Sequence, residues 1–522
     1  MNTARNSLPA SITEELLTRL TGQVASSGGD TYKMTEVYTG EVICALPQSR
    51  PEDIEQAFAT ARRAQTVWAA WPLQKRLKVF KKFHSLVLEH NETIVDLIQA
   101  ESGKARRMAF EETCDVPMVT SHYLGIAPRL LRPKKRAGPV PFVSSSTEIR
   151  QPKGVVGIIA PWNFPFATGI SDSIPALMAG NAVVLKPDNK TALSPLLGVA
   201  LLYQAGLPEG LFQVLCGEGP DIGPGLIDNA NFVMFTGSTA TGRYVGQRAG
   251  QNLIGCTLEL GGKNPMIVLE DANLDEVIPG ALFGVYGNTG QICMHIERLY
   301  VHERRFTEFK ERFVEATKNL VLGASYDFEP EVGSLVSVDQ KNRVAEHVED
   351  ARAKGARVLT GGRARPDLGP AFYEPTVLVD VTQDMLAGTC ETFGPVVALY
   401  PFSNEYEAIR LANDTDYGLN ASVWGTDLKR AAKVAAQIES GNVNVNDTLA
   451  VAYASKGTPS GGVKQSGIGA RHGDNGLLKY TDGQNLAVLK KQVMGPPEGT
   501  PYAKHARTTL KSLSIMRKTG LR

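Results

Sequence analysis

Cysteine is scarce and dispersed in this chain. The six residues, Cys44, Cys114, Cys216, Cys256, Cys293 and Cys390, contain no C-x-x-C pair. Such spacing fits neither a disulfide framework nor a zinc ribbon. The eight histidines show no ligand spacing either, so no metal site is expected. An excess of one charge is also missing: Lys and Arg total 55 against 54 Asp and Glu, a formal net charge of +1. That balance removes the electrostatic reason for general nucleic-acid binding, though not for a local basic patch. Long apolar runs are lacking as well. The longest, near 155–170, is interrupted by Asn163 and two prolines, which is too broken for a membrane-spanning helix. The opening MNTARNSLPASITEELLTRL has no apolar centre, so a signal peptide is not expected. The reading is a cytoplasmic protein with no membrane and no nucleic-acid partner.

Two phosphate-binding signatures are absent too. No Walker A sequence occurs, and no G-x-G-x-x-G follows an apolar run. Gly217-Glu-Gly219-Pro-Asp-Ile-Gly223 is one residue too long. Its Pro220 is expected to spoil a helix start, so the segment reads as a turn.

What is present is ordinary globular material: 522 residues, 43% hydrophobic and 21% charged. That length favours two to four domains. Residues 1–50 read as irregular or weakly strand-like. Ser49-Arg-Pro-Glu52 has the form of a capping box, and helical spacing follows to about Leu131, with breaks near Trp71-Pro72 and Glu101–Gly103. Arg132–Pro141 is basic and reads as a connector.

Beyond it the texture changes. Short, β-branched runs recur at Val155–Ala160, Ala182–Leu185, Phe212–Leu215, Phe232–Phe235 and Met266–Leu269. Such runs suit strands buried on both faces, and the helical segments between them argue for βαβ units in a parallel sheet. A second alternating region follows residue 300. There Phe306, Phe309 and Phe313 share one helical face, Val344, Val348 and Ala351 another, and Asp427 is placed to cap a helix running to Ser440. The fold class expected is α/β, with two parallel-sheet domains and a smaller element.

Four segments carry chemistry. Phe235-Thr-Gly237-Ser238-Thr-Ala-Thr-Gly242 follows an apolar run and precedes a helical one, so its free amides suit a diphosphate. Pro161-Trp162-Asn163-Phe164-Pro165 holds a polar amide rigidly after a strand. Glu259-Leu260-Gly261-Gly262-Lys263 places a carboxylate before a glycine pair. Gly290-Gln291-Ile292-Cys293 ends a glycine-bearing approach at a thiol. Taken alone, a cysteine is more often packing than nucleophile, and Cys390 reads as an inert buried thiol.

Together, in this order over roughly residues 35–485, the segments resemble the aldehyde dehydrogenase superfamily. Lys186-Pro187 and Glu391-Thr-Phe393-Gly-Pro395 add to the likeness. The resemblance implies Cys293 as nucleophile, Asn163 with the Cys293 amide as oxyanion holder, and Glu259 as the base that activates water. Relatives that pass the acyl group to coenzyme A usually lack that carboxylate, so Glu259 favours hydrolysis to the free acid. The resemblance further implies NADP or NAD as cofactor, met by Trp162, Asn163, Lys186, Pro187, Asp188, Asn189, Gly237, Ser238, Leu260, Glu391 and Phe393. In NAD-preferring relatives a glutamate often stands where this chain has Asn189. A carboxylate there repels a 2′-phosphate and an amide does not, so NADP is expected to be accepted and even preferred.

The implied layout is a cofactor domain at 1–136 and 153–258, a catalytic domain at 259–460, a β oligomerisation element at 137–152 and 461–490, and a basic tail at 491–522. A hairpin near Phe142–Arg150 and a segment near Leu477–Lys490 are expected to join subunits into a homodimer or homotetramer.

Within the superfamily the chain is most similar to bacterial, actinobacterial-type succinate-semialdehyde dehydrogenases. Gln151-Pro-Lys-Gly-Val-Val-Gly157, Val183-Val-Leu-Lys-Pro-Asp188 and Gly476-Leu-Leu-Lys-Tyr-Thr481 carry that likeness. It implies succinate semialdehyde as the aldehyde substrate. One departure stands out: two arginines that grip the distal carboxylate in such enzymes are Ser171 and Gly287 here. A neutral aliphatic or aromatic aldehyde is the alternative, with Phe166, Tyr286, Met294 and Tyr453 as candidate wall residues. A catalytically silent binding protein, or an esterase without redox chemistry, is disfavoured by the intact trio and cofactor residues.

Overall fold

The computed structural model describes residues 8–138, 143–490 and 495–519. There the short β-branched runs pair side by side. Val155–Ile159, Ala182–Lys186, Phe212–Val214, Phe232–Thr236 and Gly255–Glu259 form one parallel sheet, in the spatial order 3-2-1-4-5 counted along the chain. Nearly every residue of the three central strands is buried, as expected for strands covered on both faces by helices. Strand order reverses between Val155–Ile159 and Phe232–Thr236, which opens a crevice at their carboxyl ends. The antiparallel strand Gly467–Ile468 closes the far edge against Gly255–Glu259.

Residues 260–263 then cross to a second sheet. Its strand Asn264–Val268 is flanked by Ile296–His302, Val396–Phe402 and Thr376–Val379 on one side, and by Asn420–Trp424 and Asn442–Val445 on the other. All these are parallel; Arg357–Thr360 adds an antiparallel edge. The carboxyl edge of the first sheet therefore meets the amino edge of the second, and a cavity of about 380 Å³ lies between them. A third, antiparallel sheet joins Lys134–Arg136, Ser144–Pro152 and Thr481–Leu489. The expected hairpin strand thus exists, although Phe142 lies outside the described residues.

The helices follow the periodicity with adjustments. Pro51–Ala70 packs on the first sheet, while Leu73–Glu89, Asn91–Ser102 and Arg106–Leu131 pack on the helices Ser173–Met178 and Leu193–Gln204. The first of these starts one residue later than its capping pattern suggests: the Asp53 carboxylate accepts the Arg50 backbone N–H at 2.8 Å. Glu14–Thr21 is an unexpected helix, capped by Thr13 and burying only Leu16 and Leu20. Asp427 caps Leu428–Ala435 as expected, but that helix stops well short of Ser440.

Pro220 corrects a larger misreading. It does not spoil a helix; it stands in the first turn of Gly219–Asn229. A missing N–H is harmless at that position, because first-turn amides have no intrahelical acceptor. Among the described residues, no helix is long and apolar enough to cross a membrane. The basic tail contains the helix Tyr502–Thr519, with Tyr502, Leu510 and Leu513 exposed.

Candidate active site

Cys293 sits in a loop fixed from several sides. The helix Leu274–Tyr286 ends, and Asn288, Thr289 and Gly290 then take consecutive left-handed conformations. Glycine is required at 290, since a Cβ there would lie 2.0 Å from the Gly394 carbonyl. Asn264 Nδ2 donates to the carbonyls of Cys293 at 2.8 Å and His295 at 2.7 Å. Gln291 accepts the Val336 N–H at 3.0 Å through Oε1. These bonds hold the thiol facing the cavity, where Phe164, Met294 and Tyr453 pack around it. Burial pushes the Cys293 thiol up to about 12; Arg471 opposes this, while Glu259 and Glu391 add to it.

Asn163 follows the first strand of the crevice. Its Nδ2 donates one N–H to the Gln291 carbonyl at 2.9 Å, which orients the amide beside the thiol loop. Beneath it lies a fully buried ion pair that sequence reasoning missed. Lys104 Nζ donates to Glu112 at 2.6 Å and to the Asn163 carbonyl at 2.7 Å. The other Glu112 oxygen accepts the N–H groups of Phe166 and Ala167, at 2.8 and 3.1 Å. No local motif flags this pair, because its meaning comes only from the loop it supports.

Glu259 ends the last parallel strand of the first sheet and lines the same cavity. Burial raises its carboxyl to about 7, against the pull of Arg471 and Lys479. Oε1 is buried without a hydrogen-bond partner, while Oε2 lies 3.7 Å from Arg471 Nη1. The glycine pair that follows allows close approach: a Cβ on Gly261 would fall 2.3 Å from Glu391 Oε2. Glu391 accepts the Gly262 N–H at 3.0 Å. Phe393 stands edge-on to Trp162, with ring centroids 5.4 Å apart. Glu297 positions this loop. It accepts the backbone N–H groups of Thr392 at 2.9 Å and Phe393 at 3.2 Å, and Lys263 and His295 hold its carboxyl well below the usual range despite burial.

The remaining cofactor candidates share the same sheet edge. Gly237 and Ser238 line the cavity, and Ser238 caps the helix Thr239–Gln251. Leu260 lines it too. Lys186, Pro187, Asp188 and Asn189 leave the neighbouring strand, where burial lowers the Lys186 ammonium. Asn189 Nδ2 donates to Gln48 at 3.0 Å and to Glu218 at 3.1 Å, and its Oδ1 is buried without a partner. Glu218 was passed over in the sequence because its segment read as a mere turn. It returns a carboxylate to the region from which Asn189 removes one. An orphaned buried acceptor, an ammonium, a capped helix start at the crevice and an aromatic pair together fit a dinucleotide.

The substrate side holds surprises. Met294 and Tyr453 line the cavity, but Phe166 and Tyr286 are core residues; Tyr286 stacks on Phe313 instead. Ser171 Oγ donates to Asp115 at 2.6 Å, and Lys456 Nζ reaches the same carboxylate at 2.5 Å. Arg298 is buried against the Lys263, Leu411 and Ala412 carbonyls. Cys390 is exposed, contrary to expectation, because it stands at the solvent-facing end of the short helix Leu386–Thr389.

Comparison with known proteins agrees with this geometry. The family model described as aldehyde dehydrogenase family matches residues 24–486. A protein of Mycobacterium ulcerans (strain Agy99), provisionally named succinate-semialdehyde dehydrogenase (NADP(+)) 2, is 46% identical over 494 residues, 95% of each chain. A Methylomonas protein named 4,4'-diapolycopene aldehyde oxidase is 38% identical, covering 89% of this chain and 87% of that one. The NAD+ complex of an aldehyde dehydrogenase from Bacillus cereus superposes with a TM-score of 0.85 at 35% identity, covering 90% of this chain and 95% of that one. The chain belongs to the aldehyde dehydrogenase family and is an NAD(P)-dependent enzyme that oxidises aldehydes.

Proposed function

We propose that this enzyme oxidises succinate semialdehyde to succinate with NADP or NAD through a covalent thioester on Cys293. The convergence of Cys293, Asn163 and Glu259 on one cavity is the observation that carries the chemistry. The substrate comes from the name of the mycobacterial relative. Glu259 takes the thiol proton, and the Cys293 sulfur bonds to the aldehyde carbon. The second Asn163 N–H and the Cys293 amide hold the oxyanion. When bound, the oxidised nicotinamide accepts the hydride released as the oxyanion collapses. Glu259 passes the thiol proton to solvent and, ionised again, takes a proton from water. The resulting hydroxide attacks the thioester, the C–S bond breaks, the Cys293 thiolate is restored and the acid leaves.

In this reading Gly237 and Ser238 meet the diphosphate, Lys186 the adenosine ribose, Glu391 the nicotinamide ribose, and Trp162 and Phe393 flank the ring. Pro187, Asp188 and Leu260 complete the walls. NADP is accepted because residue 189 is Asn, and Glu218 limits how strongly it is preferred. The enzyme works in the cytoplasm as a homodimer or homotetramer, without membrane or nucleic-acid partners. The strand Thr481–Leu489 offers Leu486, Val488 and Leu489 as exposed apolar contacts. The division proposed is the one expected from sequence, except that Gly467–Ile468 pairs with the first sheet, which leaves Ser144–Pro152 and Thr481–Leu489 as the oligomerisation strands.

A second reading has its own support. Met108, Met118, Phe164, Phe283 and Met294 give the cavity apolar walls, and its Lys456 is already paired with Asp115. A neutral aldehyde suits those walls, and the Methylomonas relative is named for an apolar one. An aldehyde panel separates the two. The first reading expects the highest kcat/KM for succinate semialdehyde. Higher values for neutral aliphatic or aromatic aldehydes support the second.

A further inference from the structure

The cavity wall beside Glu259 contains a cation tied down on all but one side. Arg471 donates from Nε to Asp172 Oδ1 and from Nη2 to Asp172 Oδ2, each at 2.9 Å, and Nη2 also reaches Thr236 Oγ1. Both side chains of the ion pair are buried. A two-point fork fixes the guanidinium plane, and here that plane directs Nη1 toward Glu259 Oε2 at 3.7 Å. The backbone reinforces the arrangement. Thr236 and Gly467 are the strand partners of Glu259 on its two sides, and Arg471 exchanges backbone bonds with Ser460 at 2.7 and 2.9 Å. The carboxylate and the threonine therefore end neighbouring strands, and the arginine follows the adjoining edge strand by three residues, held by its bridge to Ser460.

We propose that Arg471, clamped by Asp172, is a positioning residue that holds Glu259 ionised and turns its Oε1 toward the reacting water. A desolvated carboxylate without a cation takes up a proton and ceases to be a base. Five titratable or charged groups face Glu259: Arg471 and Lys479 favour its charged form, whereas Asp172, Tyr480 and Cys293 oppose it. Of these, only Arg471 forms an ion pair with it, at 3.7 Å. A guanidinium does not give up its proton in proteins, so Arg471 is a fixed charge and no proton relay passes through it. One Glu259 oxygen is thereby occupied, and the orphaned one is the atom available to water. This role rests on the reading of Glu259 as the base of thioester hydrolysis.

The test is the pH profile of single-turnover thioester hydrolysis in the full-length enzyme, with Glu259→Gln as reference. Arg471→Gln is expected to move the midpoint upward by about one pH unit, lowering the rate at pH 7 roughly fivefold. The rate is expected to recover at high pH, with KM for the aldehyde changed less than about twofold. Arg471→Lys is expected to restore most of the shift. Asp172→Asn, which keeps the cation and removes an anion that opposes Glu259 ionisation, is expected to move the midpoint downward instead and serves if Arg471→Gln does not fold. A uniform loss at every pH, or an unmoved midpoint, overturns the proposal while Glu259→Gln still slows hydrolysis. If Glu259→Gln leaves hydrolysis unchanged, the base reading fails first and the proposal with it.

Discussion

At the residue scale, the chemistry depends on groups that burial has made reluctant to ionise. Burial raises the Cys293 thiol to about 12, and the nearby Glu259 carboxylate adds to that rise. The thiol is therefore protonated at neutral pH until a base takes its proton, and Glu259, raised to about 7, is matched to that task. Its pH dependence follows from the sign: Glu259 must be ionised to act, so hydrolysis is expected to fall as pH drops below about 7. A flat profile from pH 6 to 8 contradicts this. Cys293→Ser is expected to abolish NAD(P)H formation, read by absorbance. Asn189 and Glu218 lie 3.1 Å apart, and in the proposed reading cofactor choice turns on this pair. Glu218→Gln is expected to raise the kcat/KM ratio of NADP over NAD several-fold, and Asn189→Glu to lower it. If neither changes the ratio, the electrostatic account of this pocket is wrong.

At the element scale, positioning falls to buried charges that no motif announces. Lys104 and Glu112 are both fully buried, and they hold the Asn163 loop between a strand end and a helix. Glu112→Leu leaves an unpaired buried ammonium, so a loss of about 3–5 kcal/mol is expected in denaturant unfolding. A loss below about 1 kcal/mol contradicts that account. The parallel strands themselves were legible in the sequence, because strands buried on both faces must be continuous apolar runs. The trio Cys293, Asn163 and Glu259 was legible through its flanking glycines and prolines, which mark close approaches and rigid turns. Lys104, Glu112, Glu297, Asp172 and Arg471 were not. Each is an ordinary surface-type residue until the fold buries it against its partner. Glu218 is hidden for another reason: proline ordinarily breaks a helix, but Pro220 stands in the first turn of one.

At the scale of the whole molecule, function lies at a seam. The carboxyl edge of one sheet supplies Asn163 and Glu259, and the amino edge of the other supplies Cys293. The neutral overall charge says little about such a site, where the cations that matter are local. Subunit association is expected to depend on the outer strand of the third sheet. Val488→Asp, at a position 47% exposed in the single chain, is expected to lower the mass seen in light scattering, and an unchanged mass argues against an interface there. The most direct test of the covalent mechanism traps its intermediate. Glu259→Gln enzyme incubated with succinate semialdehyde and NADP is expected to form one equivalent of NADPH, slowly because thiol deprotonation is impaired too, and then to hold the acyl group on the Cys293 peptide, seen by intact and peptide mass spectrometry. One equivalent of NADPH with no adduct on Cys293, or undiminished turnover with no accumulated acyl-enzyme, contradicts the account.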